Sequence, residues 1–339
     1  MTSRKFLVTG IAGFMGSHIA DALIEKGYEV VGIDNLVGGY KENVPSQVDF
    51  LQADLNHLDS IKNFFRGVDT VVHTACTAYE GLSVFSPNLV TRNTFQITAS
   101  TLTASIQNNV RKFVNMSSMA RYGTQETIPF SEEMVPNPQD PYGIAKYASE
   151  LLLKNCSETH GMAQVTVVPH NIIGPRQKYD DPYRNVASIM INRMIQGKQP
   201  IIYGSGEQKR CFSFMSDVVK PIVAVCETEV VDGLVVNIGP DEEFITINKL
   251  AEKIASILDF SLDPIYLPER PREVLNANCS AELARRLLNY ETKTTLEEGL
   301  SQLVEWIKLK GAKKFNYHLP IEIITTSTPK TWTTDILNN

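Results

Sequence analysis

Through the first half of the chain, short runs of almost unbroken apolar residues alternate with longer stretches in which apolar residues recur every three or four positions. The runs Lys5–Thr9, Glu29–Asp34, Val48–Asp54, Thr70–Thr74 and Lys112–Ser117 read as strands. A strand that is apolar on both faces must be covered on both, as in a parallel sheet built from βαβ units. Between the runs, Met15–Lys26, Leu58–Phe65, Asn93–Asn108 and Tyr142–Cys156 carry apolar residues at helical spacing. The pattern predicts an α/β fold with a doubly wound parallel sheet of the Rossmann kind.

After about residue 175 the rhythm gives way to loops and shorter elements, with helices expected at Asn185–Gln196, Asp217–Glu227, Asn248–Leu258 and Leu296–Lys308. We therefore expect a sheet domain over 1–175, to which the chain returns around 210–240, and a smaller substrate-binding cap over 176–312. The extension 313–339 is rich in Thr and Pro but holds Phe315, Tyr317 and Trp332, so it is expected to pack against the body.

Charge and composition narrow the function. Net charge is −6, and Lys and Arg are scattered singly, so no basic stripe is present to hold nucleic acid. No stretch approaches the ~20 consecutive apolar residues of a membrane span, and Met1 to Lys5 leads straight into a strand, leaving no room for a signal peptide. A cytoplasmic protein is expected. The five cysteines form no CxxC pair, which argues against a zinc knot or a disulfide framework, and no metal site is expected. Cys76 reads as a small core residue.

Directly after the first strand stands Gly10-Ile-Ala-Gly13-Phe-Met-Gly16, followed at once by a helix. Glycines so placed let the backbone turn tightly and approach a pyrophosphate, whose charge then lies at the positive end of the helix. Asp34 ends the second strand, where a carboxylate can accept hydrogen bonds from both adenosine ribose hydroxyls and would repel the 2′-phosphate of NADP. NAD is the cofactor this predicts. Asp54 is placed to reach the adenine, and His73-Thr74-Ala75 closes the fourth strand beside the cofactor, with His73 itself read first as a buried, satisfied side chain.

Tyr142-Gly-Ile-Ala-Lys146 follows Asp140-Pro141, with Ser118 at the end of the fifth strand. Residues four apart share a helical face, so Lys146 can sit beside Tyr142. A free phenol, with a pKa near ~10, is a poor base at neutral pH, and positive charge from Lys146 and a nicotinamide ring is expected to lower it. Tyr142 can then take a hydroxyl proton while hydride leaves the same carbon, with Ser118 bonded to the same oxygen.

These motifs, with Ile33-Asp34-Asn35-Leu36, Ser117 to Gly123, Asn171-Ile-Ile-Gly174-Pro175-Arg176, Tyr203 to Arg210, Arg270 and Leu296 to Leu300, resemble the extended short-chain dehydrogenase/reductases, in their nucleotide-sugar epimerase and dehydratase branch. The resemblance runs from about Phe6 to Lys308. It implies that Phe14, Met15, Asn35, Leu55, Asn93, Ser117 and Pro169 join the glycines, Asp34, Asp54, Thr74, Ala75, Tyr142 and Lys146 around NAD. It also implies that Asn171, Arg210 and Arg270 hold the diphosphate of a sugar nucleotide near Ser118, arginine being suited to phosphate by its planar, permanent charge. A homodimer through Asn93–Asn108 and Tyr142–Cys156 is implied too, the first carrying Phe95, Ile97, Leu102 and Ile106 beyond one buried stripe.

Two departures stand out. Pro169-His170 occupies the place of the usual aromatic before the diphosphate asparagine, and the loop Cys76–Pro87 differs from the common epimerase sequence. Relatives that eliminate water carry Asp-Glu after the catalytic hydroxyl, whereas this chain has Met119 and Ala120, and the cysteine of 3,5-epimerases is missing as well. C4 epimerisation of a hexose or uronate nucleotide is the simplest remaining chemistry. Dehydration, decarboxylation, release of the keto sugar and a non-catalytic NAD(H) sensor stay open as alternatives.

Overall fold

The computed structural model describes residues 4–339. Seven parallel strands form the central sheet: β1 (Lys5–Thr9), β2 (Glu29–Asp34), β3 (Asp49–Gln52), β4 (Thr70–His73), β5 (Lys112–Met116), β6 (Ala163–Pro169) and β7 (Val235–Ile238), in the order β7-β6-β5-β4-β1-β2-β3. The doubly wound sheet expected from the apolar runs is thus present. The chain leaves β1 in one direction for β2 and β3 and resumes on the other side with β4, so the crevice lies beyond the carboxyl ends of β1 and β4.

Side-chain alternation divides the core. Phe6 and Val8 pack with helices α1 (Phe14–Glu25) and α5 (Met215–Glu227) on one face, while Leu7 packs with α2 (Ile97–Gln107) and α3 (Pro141–His160) on the other. A second core, including Met190, Leu250 and Leu300, joins α4 (Val186–Ile195), α6 (Ile247–Leu258) and α8 (Leu296–Lys310) beneath three small sheets. A short helix α7 (Glu282–Leu288), absent from the apolar pattern, buries Ala284 and Leu288 against the first core.

Several boundaries differ from expectation. The edge strand β3 is half-buried and stops before Asp54. Strands β6 and β7 were not evident in the pattern because buried polar residues, Thr166 and Asn237, interrupt them, and Asn237 accepts from the Tyr122 hydroxyl at 2.8 Å. The helix expected from Asn93 to Asn108 begins as a wide π turn over Arg92–Gln96, with Asn93 itself outside helical angles. Ile97 and Leu102, expected as surplus surface residues, are 6% and 2% exposed because they face the sheet, whereas Phe95 is 36% exposed.

The extension packs as expected. Phe315 and Leu337 are buried against Ile201, and Trp332 is buried with Tyr79, Phe85 and Tyr183. Among the described residues, no helix is long and apolar enough to cross a membrane. Removing so large a buried side chain leaves a cavity, so Trp332→Ala should cost about 3 kcal/mol of the free energy fixing the extension. Limited proteolysis should then cut within residues 313–339 while the sheet domain survives, and wild-type resistance would show that the extension is held elsewhere.

Candidate functional site

A cavity of about 490 Å³ opens at the carboxyl ends of the strands, and every candidate residue, from Gly10 in the first turn to Arg270 in the cap, borders it. His73 does not. It is buried, its ring nitrogens lie 2.8 Å from Thr9 Oγ1 and 3.0 Å from Thr98 Oγ1, and burial lowers its pKa to about 3.

The cofactor half is built on the turn between β1 and α1. Gly10 has φ +71°, and a Cβ on Gly16 would stand 2.3 Å from the Gly10 carbonyl oxygen, so a side chain at either position would force the turn open. Gly13 caps α1 without any side-chain bond, which leaves the first-turn amides, those of Phe14 and Met15 among them, facing the cavity. Asp34 receives the amides of Ala12 at 3.0 Å and Leu36 at 2.7 Å. Burial nevertheless raises its pKa, those amides pulling the other way. An uncapped helix start, a turn that admits no Cβ and a carboxylate at the end of β2 fit a dinucleotide. Asn35, Leu55, Thr74, Ala75 and Pro169 complete the wall. Asp54 borders the cavity too and closes its own turn, its Oδ1 accepting from the Asn56 amide at 2.9 Å, and Asn56 in turn donates to Asn93 Oδ1 at 2.9 Å.

The chemistry-bearing groups project from α3 and the end of β5. Asp140 caps α3 by accepting the Gly143 amide at 2.9 Å, and Pro141 occupies the first turn, where its missing N–H costs nothing. Tyr142, Lys146 and Glu150 then follow one another at single-turn intervals on the buried face. Lys146 Nζ lies 5.8 Å from the centre of the Tyr142 ring and donates to the Met116 carbonyl at 2.7 Å. Glu150 accepts from Ser117 and pairs with Arg121 at 2.9 Å. Ser118 bonds the Tyr142 hydroxyl.

In the free protein, with no nicotinamide ring beside it, the phenol is held up rather than lowered. Burial, then the neighbouring Cys76, Glu80 and Asp140, hold Tyr142 well above its usual pKa, with Ser118 opposing them. Lys146 turns toward Met116 and does not offset this in the free protein.

In the cap half, Asn171 is held at φ +43°, and its Nδ2 is buried without a partner. Arg270 forms a two-pronged pair with Glu273, with bonds of 3.2 and 3.0 Å, and lies over the Tyr203 ring at 5.0 Å, while Arg210 stands 3.7 Å from the same carboxylate. His170 is drawn away from the cavity, its Nε2 2.7 Å from the Pro240 carbonyl, so the Pro169-His170 departure leaves only Pro169 at the site.

The structure adds residues that spacing did not single out. Glu80 is exposed, but onto the cavity rather than the bulk, and burial followed by Asp140 pushes its pKa up to about 7 against Arg210 and Arg270. Arg184 reaches from the cap across Gly38, 4.9 Å over the Tyr79 ring. Trp332 brings the extension to the same wall. The atypical loop Cys76–Pro87 marked the neighbourhood of Glu80, and the aromatic residues of the extension that of Trp332, whereas nothing in the pattern marked Arg184.

Comparison with known proteins agrees with this geometry. The profile of the NAD dependent epimerase/dehydratase family matches residues 6–239. A putative UDP-glucose 4-epimerase of Methanocaldococcus jannaschii is 33% identical over 306 residues, covering 89% of this chain and 98% of that protein. The crystal structure of a UDP-glucose 4-epimerase from Thermotoga maritima, with UDP-glucose, superposes with a TM-score of 0.85 at 32% identity over 90% of this chain and 99% of its own. A UDP-glucuronic acid 4-epimerase from Bacillus cereus, solved with UDP-glucuronic acid and NAD, gives 0.84 at 28% identity over 91% and 100%. The chain, with its Rossmann sheet, glycine turn and Ser-Tyr-Lys cluster in one cavity, belongs to the NAD dependent epimerase/dehydratase family and is an NAD-dependent enzyme of it.

Proposed function

We propose that the protein inverts C4 of the sugar in a nucleotide diphosphate sugar, through a transient 4-keto intermediate and without net consumption of NAD. One observation carries the reading: Ser118, Tyr142 and Lys146 share a single cavity with Asn171, Arg210 and Arg270. Side chains suited to reversible oxidation at one carbon and side chains suited to gripping a diphosphate thus border the same space.

The residues divide the work. Asn171, Arg210 and Arg270 hold the diphosphate, and the sugar remains the part that can turn. The uncapped amides before α1 take the pyrophosphate of NAD, Asp34 takes the adenosine ribose, and Lys146 takes the nicotinamide ribose. Bound NAD supplies a hydride acceptor that returns what it takes and, when oxidised, positive charge beside the phenol. Tyr142 accepts the proton of the C4 hydroxyl while Ser118 bonds the same oxygen. Met119 packs with Met134 and Phe130, and Ala120 is buried, so neither brings an acid to the place from which relatives eliminate water. Dehydration is the second reading, favoured by one observation, the Glu80 carboxyl in the same cavity.

On the same reading, 1–175 carries NAD, 176–312 mainly the sugar nucleotide, and 313–339 closes the sugar end. The protein works as a cytoplasmic homodimer, its free cysteines fitting a reducing setting. Ile144 and Leu151 on α3 are 52% and 53% exposed, and with Phe95 they give the two helices an apolar outer face. Light scattering at micromolar concentration should give twice the mass of the 37.8 kDa chain, and a single-chain mass would refute the dimer.

Titration should show NAD bound more tightly than NADP, because a 2′-phosphate would lie against the Asp34 carboxylate. Equal affinity would remove Asp34 from the ribose site.

Incubation with a panel of nucleotide sugars, read by mass and proton NMR, should give an isomer of unchanged mass and no accumulation of NADH. Tyr142→Phe should retain NAD but lose at least about a hundredfold in kcat, in line with the loss of a general base. A product lighter by water or carbon dioxide, or stoichiometric NADH, would sink the epimerase reading.

A further inference from the structure

We propose that Glu80 makes the sugar end of the cavity acidic and thereby selects a neutral, hydroxyl-bearing hexose over a uronate. The inference rests on the reading of the cavity as a sugar-nucleotide site and narrows its substrate class.

Glu80 stands where the sugar has to lie. Its carboxyl interacts with Asp140 and Tyr142 and with Arg210, Arg270 and Glu273, so the reacting phenol and the arginines assigned to the diphosphate border the same space as Glu80. Its backbone is fastened there. Tyr79, the residue before it, donates to Asp181 at 2.6 Å. Ser83, one turn after it, donates to the Glu80 carbonyl at 2.6 Å and to the Asp140 carboxylate at 3.2 Å. Between them, a Cβ on Gly81 would meet the Trp332 ring at 3.3 Å and Arg270 Nη1 at 3.5 Å, so the turn is wedged against the extension. The backbone that carries Glu80 is thus held from three sides, which keeps the base of its side chain at this wall of the cavity.

The surrounding charges do not neutralise it once substrate is bound. Arg270 is already committed to Glu273 through two bonds, and Arg210 shares that carboxylate. Arg210 Nη1 also donates to the Lys209 and Leu275 carbonyls, at 2.8 and 3.0 Å. Asp140, capping α3, adds negative charge, and Cys76 and Tyr142 add none that is positive. A sugar hydroxyl can donate to Glu80, whereas a C5 carboxylate brought to the same wall meets a like charge in a space of low dielectric.

The sign of the pH dependence follows. With its pKa pushed up to about 7, Glu80 is a neutral hydrogen-bond donor below that pH and tolerates a uronate. Above it, the charged carboxylate repels one. Discrimination should therefore widen as pH rises from about 6 to about 8.5.

The test is equilibrium binding of glucose and glucuronate nucleotides, of whichever base binds, to the NAD-loaded protein and to Glu80→Gln and Glu80→Asp. Binding reports on Glu80 whether or not turnover follows. The wild type should favour the glucose nucleotide by about tenfold or more at pH 8 and less at pH 6, an order of magnitude that a like-charge contact near a protein surface supplies. E80Q should lose both the preference and its pH dependence while keeping its NAD, and E80D should keep them. A wild type that prefers glucuronate, or an E80Q ratio equal to wild type, overturns the proposal while leaving the C4 reading intact. Clear discrimination without formation of an isomer upholds Glu80 and overturns the C4 reading. Failure of every nucleotide sugar to bind overturns both.

Discussion

The arrangement of the site depends on how α3 begins. Asp140 caps the helix and Pro141 fixes its first turn, so the direction of the helix and the rotation of its buried face are set within a few residues of Tyr142. Because Tyr142, Lys146 and Glu150 recur at single-turn spacing, aligning the first aligns all three against the end of β5. The cap does a second job. Ser83 donates to the same Asp140 carboxylate, which ties the loop carrying Glu80 to the helix carrying Tyr142. Tyr142 and the Glu80 loop are therefore held by one side chain.

The ionic pair behind this arrangement is poor evidence for stability. Arg121 and Glu150 are 5% and 6% exposed in their side chains, and Arg121 Nε and Nη1 have no partner. Desolvating two charges so completely offsets much of their attraction. What the pair supplies is position: Glu150 accepts from Ser117, fixing the strand end from which Ser118 projects. The acidic groups around the phenol oppose its ionisation in the same way, which keeps Tyr142 protonated in the free protein.

Much of this was legible in the chain because the signals are local. Apolar runs marked β1, β2 and β4, the glycine spacing marked the turn before α1, and the interval from Tyr142 to Lys146 marked one helical face. The failures have a common cause in interactions between distant residues. Buried Thr166 and Asn237 hid β6 and β7, since Asn237 is satisfied by Tyr122, more than a hundred residues away. Asn93 looked like an ordinary helix residue, yet it sits in a wide turn that delivers its side chain to Asn56. Glu80 carries no periodic signal, because its environment is made by Asp140, Arg210 and Arg270 from three separate stretches.

The loop Cys76–Pro87 and the extension 313–339 looked like two separate oddities in the sequence and are one structural unit. Tyr79, Leu82 and Phe85 from the loop and Trp332 from the extension form a shared apolar cluster with Tyr183, and neither segment could bury these side chains alone. Backbone groups are settled between them as well. Ser86 Oγ donates to the Pro320 carbonyl, so it does not cap the helix that starts at Pro87, and Glu322 of the extension receives the Asn88 and Leu89 amides at 2.9 Å instead. This wall of the cavity is thus completed by Trp332 of the extension against Gly81, whereas the glycine turn and the ends of β1 and β2 that line the same cavity come from the first residues of the chain.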